Sequence, residues 1–145
     1  LVVGEGFELE GKNRLARIGF DRVVGYLQNP LAVMADNPDR VRRASRLTAA
    51  EYESRKDDID GLQLVDNRNP GEIALGVIPG AVELPVGQMP ARMDELDKSA
   101  PTLVYCAGGY RSSVAASVLR QAGFTDVSDI LGGYTAWTEL VHANA

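Results

Sequence analysis

The chain has 145 residues, enough for one ordinary domain with some extra length, and its hydrophobic fraction of 45% is typical of a globular core. Its formal net charge of −5 argues against nucleic acid as a partner, and no apolar run approaches the length of a membrane-spanning helix. A single cysteine excludes an internal disulfide, a CxxC redox pair and a cysteine-built zinc site, so we expect a protein without metal or cofactor, in the reducing cytoplasm.

Residues 1–29 resemble a later part of the same chain. The sequence Gly-Phe-Asp-Arg-Val at residues 19–23 aligns with Gly-Phe-Thr-Asp-Val at residues 123–127, and the same offset places Leu15 on Leu119. If a two-residue gap is allowed, Leu1-Val2 aligns with Leu103-Val104, and Gly4 falls at the position of Cys106. Because a Gly-Phe-x-x-Val connection between a helix and a strand is also common by itself, a chance match stays open. We predict a partial, degenerate copy: the closing strand, helix and strand of a preceding domain that lacks the nucleophile, with its earlier strands upstream.

A linker and then one complete domain are predicted after this partial copy. Residues 30–44 mix Pro, Asn, Asp and Arg with few large apolar side chains, which is typical of a linker. The domain is predicted over residues 45–145. It opens on a helix at residues 49–56, because Thr48 and Glu51 form a capping-box pattern.

Strands alternate with helices through the rest of the domain. Short apolar, β-prone runs predict strands at residues 62–66, 82–84, 102–105 and 126–131. Helices are predicted through residues 72–73, over 86–96, from just after Arg111 to about 122, and from 132 onward. The alternation predicts an α/β fold, a parallel sheet with helices on both faces. The carboxyl ends of its strands share one edge, where such sheets bind their ligands.

The only cysteine, Cys106, follows directly on the strand at residues 102–105 and precedes a helix. Gly108 and Gly109 allow the backbone to turn so that several N–H groups and the helix N-terminus face one point, which suits an anion. We expect that anion to be the thiolate of Cys106, which is the nucleophilic form of cysteine. Arg111 adds a permanent positive charge whose forked donors can hold a carboxylate or an oxyanion. The pattern predicts a catalytic nucleophile, and a small buried structural cysteine is the alternative.

Four segments of this domain resemble the rhodanese-like sulfurtransferase family. The family's active-site loop has six residues and runs from the nucleophilic cysteine to an arginine, as residues 106–111 do. Residues 64–68 look like the family's Asp-x-Arg strand end, residues 76–81 like its Gly-His-Ile-Pro-Gly-Ala turn, and residues 132–137 like its Gly-Gly-x-x-x-Trp ending. One departure is Val77, which stands where the family usually has a histidine of mostly structural role. The resemblance covers the whole domain and implies a rhodanese-like fold.

The resemblance implies transfer of sulfane sulfur from thiosulfate or a persulfide to a thiol acceptor or cyanide, through a persulfide on Cys106. The implied partners are a small sulfur donor and a thiol, with no nucleic acid or membrane. Relatives often carry this module after a metallo-β-lactamase-like hydrolase domain, which implies an upstream hydrolase domain as a further partner. The partial copy lacks its earlier strands, so its apolar surface needs a partner, either the complete domain or a second copy of the chain. Two alternatives stay open: a docking or regulatory module of such a hydrolase, and a cysteine phosphatase or arsenate reductase. The phosphatase loop is Cys-x5-Arg, one residue longer than the loop here.

The other residues of the loop and of the neighbouring strand end have predicted supporting roles. Ala107 and Tyr110 are expected to line the loop mouth, where Tyr110 either helps to select the donor or is a surface aromatic without such a role. Ser112 is expected to cap the helix, and donation of its hydroxyl to the bound sulfur is the alternative. Asp66 and Arg68 are expected to form an ion pair that braces the loop through its arginine, or else a plain salt bridge at the strand end.

Overall fold

The computed structural model describes residues 1–41 and 43–144, so Arg42 in the predicted linker and Ala145 at the end of the predicted domain lie outside the described residues. The chain divides into two compact units, Leu1–Arg43 and Ala44–Ala145. Among the helices of the described residues, none is both long enough and apolar enough to cross a bilayer.

The first unit contains two described helices. α1 spans Glu8–Ala16 and α2 spans Pro30–Asp36, followed by a 3-10 turn at Pro38–Arg40. Proline begins α2 at a position where its missing N–H costs no helical hydrogen bond. Much of the segment that the sequence predicts as a linker therefore has helical structure.

Among the described residues of the second unit, five strands form one parallel sheet. The strands are β1 at Ser45–Leu47, β2 at Gln63–Asp66, β3 at Val82–Glu83, β4 at Thr102–Tyr105 and β5 at Val127–Ile130. Their order across the sheet is β1-β5-β4-β2-β3, and every neighbouring pair is parallel. The predicted α/β fold with a parallel sheet is confirmed.

Helices connect these strands. They are α3 at Ala49–Arg55, α4 at Pro70–Ile73, α5 at Met89–Arg92, α6 at Tyr110–Gln121 and α7 at Gly133–Ala143. The predicted capping box before α3 is confirmed: Thr48 Oγ1 accepts the N–H of Glu51 at 3.1 Å, and the Glu51 carboxylate accepts the N–H of Thr48 at 2.7 Å.

The helix predicted over residues 86–96 is broken into three short pieces. A 3-10 turn at Val86–Gln88 leads into α5, and a second 3-10 turn follows at Met93–Glu95. Pro90 has no N–H to donate to the preceding turn, so a continuous α-helix through this residue loses a hydrogen bond. The predicted helical conformation is therefore confirmed for residues 86–95, in three short pieces and not as one α-helix.

Helices cover both faces of the sheet. On one face, Tyr105 of β4 packs in a core cluster with Tyr52 of α3 and Trp137 of α7. Successive strand residues point to opposite faces, so Val104 faces the other side, where α6 contacts β4 and β5. Asp66 lies opposite Tyr105 in the parallel register. The carboxyl ends of β2 and β4 are therefore neighbours, and the segments that follow them begin side by side.

Helices α1 and α6 end in the same way. Gly19 and Gly123 follow them with φ of 90° and 97°, in the left-handed region that glycine adopts without strain. In both places the next amide donates to the carbonyl five positions earlier, Phe20 to Leu15 at 3.0 Å and Phe124 to Leu119 at 3.1 Å. Both helix ends are therefore Schellman motifs with the same residue types.

The segments on either side of α1 are also hydrogen-bonded to each other. The amino group of Leu1 donates to the Gly25 carbonyl, and the N–H of Leu27 donates to the Leu1 carbonyl, both at 2.8 Å. This pattern is that of a parallel strand pair, the arrangement that β4 and β5 show on either side of α6.

Candidate active site

The loop after β4 places Cys106 at the carboxyl edge of the sheet. The residue is only 1% exposed. Its sulfur accepts the N–H of Gly109 at 3.2 Å, and its thiol donates to Ser112 Oγ at 3.6 Å. Gly109 is the N-cap of α6, with φ of 94°, so the helix begins beside the sulfur. The sulfur therefore lies against a main-chain N–H at the positive end of a twelve-residue helix.

Ser112 does not cap α6, and the predicted capping role is wrong. Because the left-handed backbone of Gly109 starts the helix at Tyr110, Ser112 lies inside the first turn. Its Oγ donates to the Gly109 carbonyl at 3.1 Å and accepts from the thiol. The hydroxyl is therefore in contact with the sulfur as an acceptor, while its own hydrogen is directed at the Gly109 carbonyl. Donation of this hydroxyl to a bound sulfur stays a prediction.

The remaining loop residues lie closer to solvent. Ala107 is half-buried, Gly108 is exposed, and the Tyr110 side chain is 40% exposed. A side chain could be added at Gly108 without contact within 4 Å, so this part of the loop leaves open space around it. The loop thus has a buried sulfur at its base and an accessible aromatic ring at its outer end.

Arg111 is held by a carboxylate that the sequence analysis did not single out. Its Nη1 and Nη2 donate to the two carboxylate oxygens of Glu72 at 2.6 and 2.7 Å. The guanidinium lowers the pKa of Glu72 to about 2, chiefly through these hydrogen bonds. The pKa of Arg111 is raised, mainly by its hydrogen bond to Glu72 and to a smaller extent by the neighbouring sulfur of Cys106. Arg111 therefore faces a carboxylate and the sulfur at the same time.

A second capping box explains why Glu72 stands beside the loop. The Asn69 side chain and Glu72 cap α4 reciprocally, and the Glu72 carboxylate accepts the N–H of Asn69 at 3.1 Å. Asn69, Pro70 and Glu72 come three to six residues after the end of β2, so they lie at the same sheet edge as the segment after β4. The sequence signal that could have identified Glu72 as a site residue is this Asn-x-x-Glu capping pattern, which follows β2, the neighbour of the strand β4 that leads to Cys106.

Asp66 and Arg68 form a buried ion pair at the end of β2. Arg68 Nη2 donates to Asp66 Oδ2 at 2.6 Å and Arg68 Nε donates to both carboxylate oxygens at 3.0 Å. The two side chains are 3% and 0% exposed. Arg68 also donates to the Gly76 carbonyl at 2.7 Å, and its guanidinium carbon lies 3.8 Å from the centre of the Tyr134 ring. The pair therefore ties the end of β2 to the turn at residue 76 and to the first turn of α7.

The link from this pair to Arg111 passes through Glu72. Arg68 Nη1 donates to the main-chain carbonyl of Glu72 at 3.4 Å, while Arg111 binds its carboxylate. The structure thus brings Asp66, Arg68 and Arg111 into one chain of polar contacts with Glu72 between them. The predicted ion pair of Asp66 and Arg68 is present, and among the contacts of the described residues its link to Arg111 runs through Glu72.

The glycine pair at the start of α7, Gly132 as the N-cap and Gly133 as the first helical residue, fixes the backbone of the cysteine loop. The N–H of Tyr134 donates to the Cys106 carbonyl at 2.7 Å and that of Thr135 donates to the Ala107 carbonyl at 3.1 Å. Gly133 has φ of 58°, and a side-chain carbon there would overlap the Cys106 carbonyl oxygen. Only glycine allows the start of α7 to approach this closely, so the Gly-Gly sequence is a requirement of the loop.

Replacement of Asp66 by asparagine is expected to destabilise the domain by about 3 kcal/mol, because Arg68 then remains buried with an uncompensated charge. Urea unfolding of the variant and the parent protein measures this difference. Asp94→Asn is the matched control, since Asp94 pairs with Lys98 at the surface, where its side chain is 87% exposed, and a change within about 0.5 kcal/mol is expected. Equal stability of the two variants would show that the buried pair adds nothing.

The sheet order and the cysteine loop define an α/β domain that presents one thiol at a helix N-terminus. A family model described as Rhodanese-like domain matches residues 48–140. The chain therefore belongs to the rhodanese-like family.

Named relatives and solved structures agree with this assignment. The chain is 42% identical over 80 residues to a protein named Sulfurtransferase from Allochromatium vinosum, covering 55% of this chain and 75% of that protein. It is 35% identical over 80 residues to thiosulfate sulfurtransferase GlpE of Pseudoalteromonas translucida, covering 55% of this chain and 76% of that protein. A crystal structure of a rhodanese-like domain protein from Staphylococcus aureus matches with a TM-score of 0.60 at 30% identity, over 64% of this chain and 90% of that chain.

Proposed function

We propose that this chain is a sulfurtransferase that moves sulfane sulfur from a small donor, thiosulfate or a persulfide, to a thiol acceptor through a persulfide on Cys106. The observation that carries the proposal is the position of the Cys106 sulfur, buried at the start of α6 with the Gly109 N–H 3.2 Å away. Membership of the rhodanese-like family and relatives named as sulfurtransferases support it.

The loading step is a displacement at the outer sulfur of the donor. With thiosulfate, a bond forms between Sγ and that sulfur, the bond between the two donor sulfurs breaks, and sulfite leaves with the electron pair. The product is a Cys106 persulfide whose terminal sulfur carries the negative charge. Before transfer the terminal sulfur takes up a proton from water, and an acceptor thiolate then attacks it, so that the sulfur leaves with its proton as the acceptor's persulfide. The bond to Sγ breaks, and its electron pair returns to Cys106 as the thiolate.

Charge stabilisation along this path needs little movement of the protein. The Gly109 N–H and the positive end of α6 are already directed at the sulfur, and they suit an anion both before and after loading. The Ser112 hydroxyl is a further polar contact to the sulfur. Arg111 also lies beside the sulfur, and its hydrogen bonds to the Glu72 carboxylate fix its position and offset its positive charge.

Intact-mass analysis after incubation with thiosulfate or an alkyl persulfide tests the proposal. We expect the protein to gain one sulfur atom and to lose it on treatment with dithiothreitol, because a persulfide is reduced by an excess of thiol. An unchanged mass together with turnover of an aryl phosphate would identify a cysteine phosphatase instead. An unchanged mass without any turnover would favour the docking or regulatory module.

We also infer that residues 1–29 are the closing part of a second, cysteine-less rhodanese-like copy, followed by a linker at residues 30–44 and the complete domain at 45–145. The shared Schellman motif at the ends of α1 and α6 and the parallel pairing around α1 support this inference. An upstream metallo-β-lactamase-like hydrolase domain, a homodimer and a cytoplasmic location stay predictions.

A further inference from the structure

The balance of charges around Cys106 narrows the choice of donor, and the inference drawn from it rests on the proposed function. Both ends of the Arg111 guanidinium fork are occupied by the Glu72 carboxylate, at 2.6 and 2.7 Å. The Arg111 side chain is 17% exposed and the Glu72 side chain 35%, so water screens the pair only in part. The positive charge of the arginine is thus offset by the carboxylate, and the negative charge of the thiolate is left without a net countercharge.

The other arginines near the sheet's carboxyl edge, within residues 44–144, are paired in the same way. Arg46 donates to both oxygens of Asp129, with the shortest contact at 2.7 Å, and its Nη2 comes within 3.8 Å of the position that a side-chain carbon on Gly109 would take. Arg68 is neutralised by Asp66. The remaining basic residues of this range lie in the last turns of helices or in turns that lead toward the amino ends of strands: Arg55, Lys56, Arg92, Lys98, Arg120 and His142.

The site therefore stabilises anions with dipoles and not with net positive charge. The N–H of Gly109 and the start of α6 act at short range on a single sulfur atom. Thiosulfate brings two negative charges, and it must approach a thiolate that already carries one. Glu72 stays ionised at neutral pH because the Arg111 guanidinium lowers its pKa to about 2, so the neutralisation of Arg111 persists under ordinary conditions.

We propose that the preferred donor of this domain is an organic persulfide or related sulfane compound with at most one negative charge at its sulfur end, and not the thiosulfate dianion. With a protonated persulfide, a bond forms between Cys106 Sγ and the outer sulfur. The bond between the two donor sulfurs breaks, and the donor leaves as a thiolate with the electron pair. The proton stays on the transferred sulfur. This step brings no second or third negative charge into the site, so the dipoles described above suffice for it.

The loading rates of two donors that differ in charge test this proposal. Methanethiosulfonate carries one negative charge and thiosulfate two, and each delivers one sulfur atom that intact mass detects over time. Their intrinsic reactivities differ, so the measured quantity is the ratio of the thiosulfate rate to the methanethiosulfonate rate, compared between the parent protein and Glu72→Gln. The glutamine keeps an oxygen for the N–H of Asn69 but frees the charge of Arg111. We expect the ratio to rise roughly three- to tenfold, the effect of one unit charge a few ångströms from the second charge of the donor.

Glu95→Gln is the control, because it removes the carboxylate of another arginine pair, Arg92 with Glu95, away from the cysteine loop. It should leave the ratio unchanged. If Glu72 serves only to position Arg111, Glu72→Gln slows both donors equally, the ratio stays constant, and the proposal is overturned.

Added salt gives a second readout on the parent protein that needs no variant. Screening should speed loading by thiosulfate if the site repels the dianion, and should slow it if the site attracts the dianion. A thiosulfate rate that falls with salt would therefore overturn the donor preference while leaving the proposed function intact. Failure of thiosulfate, methanethiosulfonate and an alkyl persulfide alike to add sulfur would instead refute the proposed function.

Discussion

Cys106→Ser is expected to abolish sulfur loading while the domain stays folded. A serine hydroxyl is not ionised near neutral pH and has no neighbouring histidine base in the described contacts of this loop, so it cannot attack a sulfane sulfur. We expect the loading rate to fall by at least about a thousandfold. The oxygen can keep the contacts with the Gly109 N–H and with Ser112, so the free energy of unfolding should change by about 1 kcal/mol or less.

Intact mass and thermal unfolding of the same sample check both parts of this expectation. Because Cys106 is the only cysteine of the chain, the serine variant offers no other thiol that could be loaded. Sulfur still added to the variant would show that the acceptor group is not Cys106, and the mechanism above would then have to be abandoned. If the serine variant loses its fold as well as its loading, the deciding measurement is made on the parent protein. That measurement is the gain of mass on loading and its reversal by dithiothreitol.

Gly133→Ala is expected to cost roughly 3–5 kcal/mol of stability and to lower sulfur loading at least about a hundredfold. The added carbon overlaps the Cys106 carbonyl, and the left-handed backbone at this residue is itself unfavourable for alanine. The start of α7 must then move away. The hydrogen bonds from Tyr134 and Thr135 to the loop are lost, and the sulfur shifts relative to the Gly109 N–H.

Gly71→Ala provides the control for this substitution. Gly71 lies in α4 with no positive φ, and a carbon added there meets nothing within 4 Å. Denaturant unfolding and loading rates should match the parent protein, and the change in stability should be small, since alanine favours a helix over glycine. Normal stability and loading in Gly133→Ala would mean that α7 does not hold the loop in place.

Much of the fold could be predicted from the sequence because local and tertiary preferences agree there. The apolar runs of β2, β4 and β5 are short, buried and separated by helices, which leaves a parallel sheet as the arrangement that covers them. The capping box of Thr48 and Glu51 is likewise a local pattern that the structure confirms. The loop around Cys106 follows from a strand end, two glycines and a helix start, all of which are adjacent in the chain.

What the sequence did not reveal has two physical causes: a contact between residues far apart in the chain, and the local backbone conformation at a glycine and a proline. Glu72 lies 39 positions from Arg111, and only the register of β2 against β4 brings the two together. The predicted cap at Ser112 was wrong because the conformation of Gly109, and not side-chain chemistry, decides where α6 starts. Pro90, which has no N–H to donate, explains why the helical stretch predicted over residues 86–96 forms short pieces and not one α-helix.

Cys106 is only 1% exposed, and this burial separates the protection of the unloaded thiol from the delivery of the bound sulfur. In a surface cysteine the same exposed atom would serve both. At the base of the loop, the unloaded thiol is shielded from bulky alkylating agents and from disulfide formation with another protein. This burial protects it against unproductive oxidation. Once loaded, the reactive atom lies about 2 Å farther out, the length of a sulfur–sulfur bond. An acceptor thiol therefore contacts the transferred sulfur before it contacts Cys106. The domain can release that sulfur without exposing the cysteine side chain.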